Sequence, residues 1–124
     1  MPDKVAAPTV NLSIVRGVAS GPPELRTLAS GRRLATLSVK THALEPPATS
    51  VPVAVWDPPA WIEAIDQGDE LVVAGCLRRR FYRSTTGALA ARVELEASVV
   101  GRGSDARKLQ RARRVAQETL GSLE

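Results

Sequence analysis

Aromatic residues are scarce in this chain: two Trp, one Tyr and one Phe among 124 residues. A core has to be built from Val, Leu, Ile and Ala instead, and any ring spared for the surface stands out. Histidine and cysteine number one each, which leaves too few ligands for a transition-metal centre. Cys76 has no partner for an internal disulfide, and inside an apolar run it reads as a small core residue in a reducing compartment. No apolar run approaches the roughly 20 residues of a membrane-crossing helix, and Met1-Pro-Asp-Lys4 does not open like a signal peptide, so a cytoplasmic protein with no membrane partner is expected. There is no nucleophile elbow, no lysine-bearing phosphate loop and no His/Asp/Cys cluster, so neither an enzyme nor a cofactor is expected.

What the chain does have is positive charge, 17 Lys+Arg against 13 Asp+Glu for a net +4 and a pI near 10.0. That balance favours a polyanionic partner. The charge is densest in Leu77-Arg-Arg-Arg-Phe-Tyr-Arg83, where four arginines flank two of the rings. On a strand, alternation puts Arg78, Arg80 and Tyr82 on one face and Arg79, Phe81 and Arg83 on the other. Guanidinium groups neutralise phosphates, and a flat ring offers an unpaired base a stacking surface. The competing reading is a solvated strand edge that uses charge to discourage aggregation.

Periodicity organises the rest. Residues 1–9, with Pro2 and Pro8, read as a flexible arm. Alternation marks strands over Val10–Val18, Leu34–Thr41, Val51–Trp56, Glu70–Tyr82 and Leu89–Val99. The stretch between Gly21-Pro-Pro23 and Ser30-Gly31 is a loop or short irregular strand, and 43–50, with Pro46-Pro47, is a long polar loop. Pro52 would remove a ladder donor and so favours an edge or bulge. Asp57-Pro-Pro59 opens a short helix over about Ala60–Asp66, with Trp61, Ile62 and Ile65 sealing the end of the core and Gly68 stopping it. Five strands with a short helix between the third and fourth is the order of an OB-fold barrel, an all-β class, here over residues 10–100. Residues 101–124 follow as a Gly101-Arg-Gly103 hinge and an amphipathic helix capped by Ser104 or Asp105. Its stripe is Leu109, Ala112, Ala116, Leu120 and Leu123, and Arg107, Lys108, Arg111, Arg113 and Arg114 lie on its other face.

Seven blocks then fall in a familiar order: Asn11-Leu-Ser-Ile-Val-Arg-Gly17, Pro23-Glu-Leu-Arg26, Ser30-Gly31, Leu34-Ala-Thr-Leu-Ser-Val39, Val53-Ala-Val-Trp56, Gly68-Asp-Glu-Leu-Val-Val-Ala-Gly75 and Leu77-Arg78. Over about residues 10–100 the chain resembles the bacterial single-stranded DNA-binding proteins of the OB-fold class. The resemblance implies a non-catalytic, usually homotetrameric protein of the nucleoid that wraps and protects single-stranded DNA in replication, repair and recombination. Two departures mark a divergent or accessory paralogue. The loop that would carry further stacking rings has only His42 and aliphatic or proline residues. The disordered linker and acidic tip that recruit repair enzymes are replaced by the basic-faced helix, so that recruitment is not expected.

The candidate nucleic-acid-binding residues are therefore Trp56 and Tyr82 for stacking, with Arg78, Arg80 and Lys40 on phosphates and Arg32, Arg33, Phe81 and Arg83 beside them. Trp56 lies opposite Val51, Val53 and Val55, the expected core set of its strand. Arg26 and Glu24 read as a loop ion pair, and Glu94 and Glu96 as ordinary outward alternation. The rival function is an OB-fold protein-association module; RNA binding is a variant of the first reading, because OB folds accept either single strand.

Overall fold

The structure is a computed structural model that describes residues 9–42 and 47–123; the arm up to residue 8, loop positions 43–46 and residue 124 lie outside the described residues. Among the described residues the order is β1 (Ser13–Ala19), β2 (Glu24–Thr27), β3 (Arg33–Thr41), β4 (Thr49–Trp56), a 3-10 turn (Ala60–Ala64), β5 (Glu70–Arg83), β6 (Leu89–Arg102) and α1 (Ala106–Gly121). Five strands pair in the cycle β1–β5–β6–β4–β3–β1, all antiparallel except β4 with β6, so the sheet closes on itself into a barrel-like form. The extra strand is β2, in the stretch read as a loop or irregular strand. It continues along the edge of β3 that β1 meets at Val39 and Lys40.

Alternation fills the interior. Ala35, Leu37 and Val39 of β3 meet Val53 and Val55 of β4, Leu71 and Val73 of β5, and Leu95 of β6. Ile62 and Ile65 close one end, with Trp61 packed against them. Their segment is a 3-10 turn and not the expected α-helix, and Asp57 does not cap it. Pro59 holds the cap position without a side-chain hydrogen bond, whereas Asp57 adopts φ 46° and turns its carboxylate back to the start of β3.

Two sequence expectations fail toward the end of β6. Ala74 pairs with Val99 but Gly75 pairs with Ala97, which leaves Ser98 as a bulge with its Oγ donating to the Ala74 carbonyl at 3.3 Å. The bulge switches faces: Val99 turns outward to Val72 and Ala74, and Val100 turns into the core. Gly75 is required here, because a Cβ would collide with the Glu96 carbonyl. The expected hinge is also displaced. Gly101 and Arg102 end β6, and Gly101 and Gly103 are buried, the first under the stem of Lys108.

Helix α1 starts where Asp105 accepts hydrogen bonds from the backbone N–H groups of Arg107 and Lys108. Leu109, Ala112 and Val115 pack on Val72, Ala74 and Val99, so the helix covers the outer face of its own β5 and β6. An isolated helix of this length is marginal in water, and that contact is what holds it. The expected stripe is covered only in its first half, since Leu120 and Leu123 remain exposed.

Beyond this contact the β5–β6 ladder outruns its neighbours. Pairing with β1 stops at Gly75 and with β4 at Leu95, yet β5 and β6 stay paired out to Arg83 and Leu89. The result is a projecting two-stranded ribbon. Asn11 secures its root with a side-chain imitation of strand pairing: its amide donates to the Leu77 carbonyl and its oxygen accepts from the Leu77 N–H, each at 2.8 Å.

Candidate nucleic-acid interface

The ribbon continues the outer face of the sheet, and register decides what that face carries. Arg78 stands opposite Glu94, Arg80 opposite Arg92 and Tyr82 opposite Ala90. On β4, Ala54 and Trp56 share this face, because Val53 and Val55 point into the core. A groove of about 430 Å³ forms there, bordered by Leu28, Ala54, Trp56, Arg78, Arg80, Glu94 and Glu96. Arg79 and Phe81 border it too, although alternation puts their side chains on the ribbon's other face. A second groove of about 490 Å³, lined by Glu24, Arg26, Thr36, Tyr82, Arg83 and Arg92, adjoins it across Arg80 and Glu94.

Of the nine sequence-derived candidates, the structure brings six to these grooves: Trp56, Arg78, Arg80, Phe81, Tyr82 and Arg83. Arg32 joins at the edge, its guanidinium 4.4 Å above the Trp56 ring and 3.1 Å from Asp57. Arg33 is turned away into an ion pair with Glu63 on the 3-10 turn. Lys40 is exposed at the far end of β3 and borders neither groove. The Asp57 carboxyl is held below the ordinary aspartate range, chiefly by the Arg33 backbone N–H; desolvation opposes this, and the hydrogen bond and charge of Arg32 add to the lowering. Asp57 thus stays ionised as pH falls into the range where exposed aspartates protonate, and keeps Arg32 over the ring.

The electrostatics differ from the sequence expectation. Glu94 is only 3% exposed, with Arg92 Nε at 2.9 Å and Arg80 Nη1 at 3.5 Å. Among the described residues Arg80 Nη1 is itself buried without a hydrogen-bond partner, because 3.5 Å to Glu94 is an ion-pair distance and long for a hydrogen bond. Arg78 pairs with Glu96. Three of the groove arginines therefore already hold carboxylates, and Glu94 and Glu96 are counter-ions, not idle outward polar residues. The balance is still positive. The two grooves are lined by Arg26, Arg78, Arg79, Arg80, Arg83 and Arg92 against Glu24, Glu94 and Glu96, six against three. The expected Glu24–Arg26 pair does not form among the described residues; both border the second groove instead.

Arg92 and Glu94 are groove residues that sequence reasoning did not count among the candidates. The signal lay in the turn at 84–88: counting outward from it pairs Arg83 with Leu89, and hence Arg80 with Arg92 and Arg78 with Glu94. The described residues contain no group of three or more His, Cys, Asp or Glu able to hold a metal ion, and no helix long and apolar enough to cross a membrane.

Neither a family model nor a curated protein sequence matches this chain.

Proposed function

We propose that this is an OB-fold protein that binds single-stranded DNA without catalysing a reaction, through the groove on the outer face of β4, β5 and β6. The closed strand cycle with its one parallel contact, β4 with β6, supports the OB assignment. The observation that carries the function is the meeting of Trp56 and the ribbon's Tyr82, Arg78 and Arg80, residues from separate segments, at two adjoining grooves whose combined lining holds six arginines against three glutamates. Rings stack on unpaired bases, guanidinium groups neutralise phosphates, and neither reads base edges, so sequence preference is slight. The resemblance to bacterial single-stranded DNA-binding proteins adds a homo-oligomer. The ribbon's exposed Leu77, Phe81, Leu89 and Val93 are apolar surface that self-association would cover. Light scattering would then read a mass above that of one chain, and a single-chain mass would remove this part of the proposal.

Fluorescence-anisotropy titration with single-stranded, duplex and RNA oligonucleotides tests the function. Single-stranded DNA should bind far more tightly than duplex, whose bases are already stacked, and log K should fall with log salt at about 0.7 per neutralised phosphate. Equal affinity for duplex would reduce the protein to a general polycation. Tighter binding to RNA would reassign the ligand, and no binding at low salt would favour the protein-association module.

A further inference from the structure

Helix α1 carries the largest block of positive charge that lacks carboxylate partners. Its inner face packs on β5 and β6, while Arg107, Arg111, Arg113 and Arg114 are exposed. Among the described residues none of these four has a carboxylate within ion-pairing distance, whereas Arg32, Arg33, Arg78, Arg80, Arg92 and Arg102 all do. Arg107, Arg111 and Arg114 follow one another at steps of four and three residues, so they form a single stripe. Like charges at those spacings repel and weaken a helix. Among the described residues of α1, Glu118 alone offsets them.

The stripe is also in the right place. Val72 and Ala74 of β5 lie under α1, and along the same strand face Arg78, Arg80 and Tyr82 follow. A crevice lined by Cys76, Glu96, Val115 and Thr119 runs between the helix and the sheet, and Glu96 borders the groove as well. Helix and groove are therefore consecutive stations on one face of the molecule.

We infer that the arginine stripe of α1 is a second phosphate-binding surface, which takes the sugar–phosphate backbone of a nucleic-acid strand as it leaves the groove at its Arg78 end. This rests on the groove reading for the direction of the strand. The chemistry of the stripe is that of phosphate recognition: guanidinium forks, always charged, in a row that a row of phosphates can follow. The stripe thus contributes charge and length of contact.

The test uses the full chain with Arg107→Gln, Arg111→Gln and Arg114→Gln together, since glutamine keeps helix propensity, and a lysine triple variant as the charge-preserving control. Each is titrated with oligothymidylates of about 8 and about 30 nucleotides, the shorter one filling no more than the groove. The glutamine variant should bind the short strand as the parent does. For the long strand its salt slope should become shallower by about 2, three phosphates at about 0.7 each, and affinity should drop about tenfold or more at low salt. The lysine variant should restore the slope, and the melting temperature should be unchanged. An unchanged slope and affinity for the long strand would overturn the inference and leave the stripe to an acidic protein partner. Equal losses for both strands would also overturn it, by showing a general field effect. Loss of stacking at Trp56 and Tyr82 with the length-dependent effect intact would instead sink the groove reading alone.

Discussion

Replacing Arg80 and Arg92 together by alanine should lower the unfolding free energy by about 3–5 kcal/mol, the usual cost of stranding a buried charge. Glu94 is 3% exposed and these two guanidinium groups are its ion-pair partners. With both removed, the carboxylate is left buried without a counter-ion, or must pull the root of the ribbon open to reach water. Urea denaturation read by circular dichroism measures the loss. Adding Glu94→Gln to the double variant should recover a large part of it, because the stranded charge is then gone. A double variant within about 1 kcal/mol of the parent would show that water already reaches Glu94, and that the pairs on this face are ordinary surface ion pairs.

The second large effect concerns binding. Tyr82→Ala and Trp56→Ala should each weaken single-stranded DNA binding by about 1–3 kcal/mol, with the salt slope nearly unchanged, because a ring supplies stacking and no charge. Tyr82 is 44% exposed on a projecting ribbon, so its removal leaves the core untouched. Trp56 is half-buried beneath Arg32, and its variant should also show a small loss of thermal stability. Arg78→Ala should behave in the opposite sense, with a shallower salt slope and a smaller loss at high salt, and it releases Glu96 as an unpaired anion beside the ligand. Titrations at several salt concentrations separate the two patterns. A Tyr82→Ala protein that binds as the parent does would remove stacking on the ribbon from the account.

Much of this fold was legible because its strands alternate cleanly. Val51, Val53 and Val55 against Ala54 and Trp56 fix which face of β4 is core, and the structure packs those valines as the pattern implies. Ser104 and Asp105 likewise mark the start of α1, and of the two it is Asp105 that caps it. The bulge at Ser98 was not legible, because Ala97, Val99 and Val100 are all apolar and no pattern tells which of them turns outward. Gly101-Arg-Gly103 reads as a linker for a similar reason. Glycine marks flexible turns and close packing alike, and here Gly101 lies beneath Lys108 and Gly103 against Glu70.

The site was half legible. Trp56, Arg80 and Tyr82 announce themselves as surface rings and cations on strands, and alternation is enough to put them outward. Their charge state is a property of pairs. Glu94 reaches Arg80 across the ribbon and Arg92 along its own strand, while Arg33 is taken up by Glu63 in a different segment. Counting arginines along the chain overstates the charge on the ribbon face, and understates α1, whose arginines have no carboxylate partner among the described residues.

The most direct measurement of the central claim is the fluorescence of Trp56 during a single-stranded DNA titration. The chain has two tryptophans, so a Trp61→Phe background isolates Trp56, which borders the groove. A base stacked on the ring should quench its emission in a saturable way, along the same binding curve that anisotropy reports, and duplex DNA at the same concentration should not. Saturable binding of single-stranded DNA with no change in Trp56 emission would contradict the account, since the strand would then lie elsewhere on the molecule.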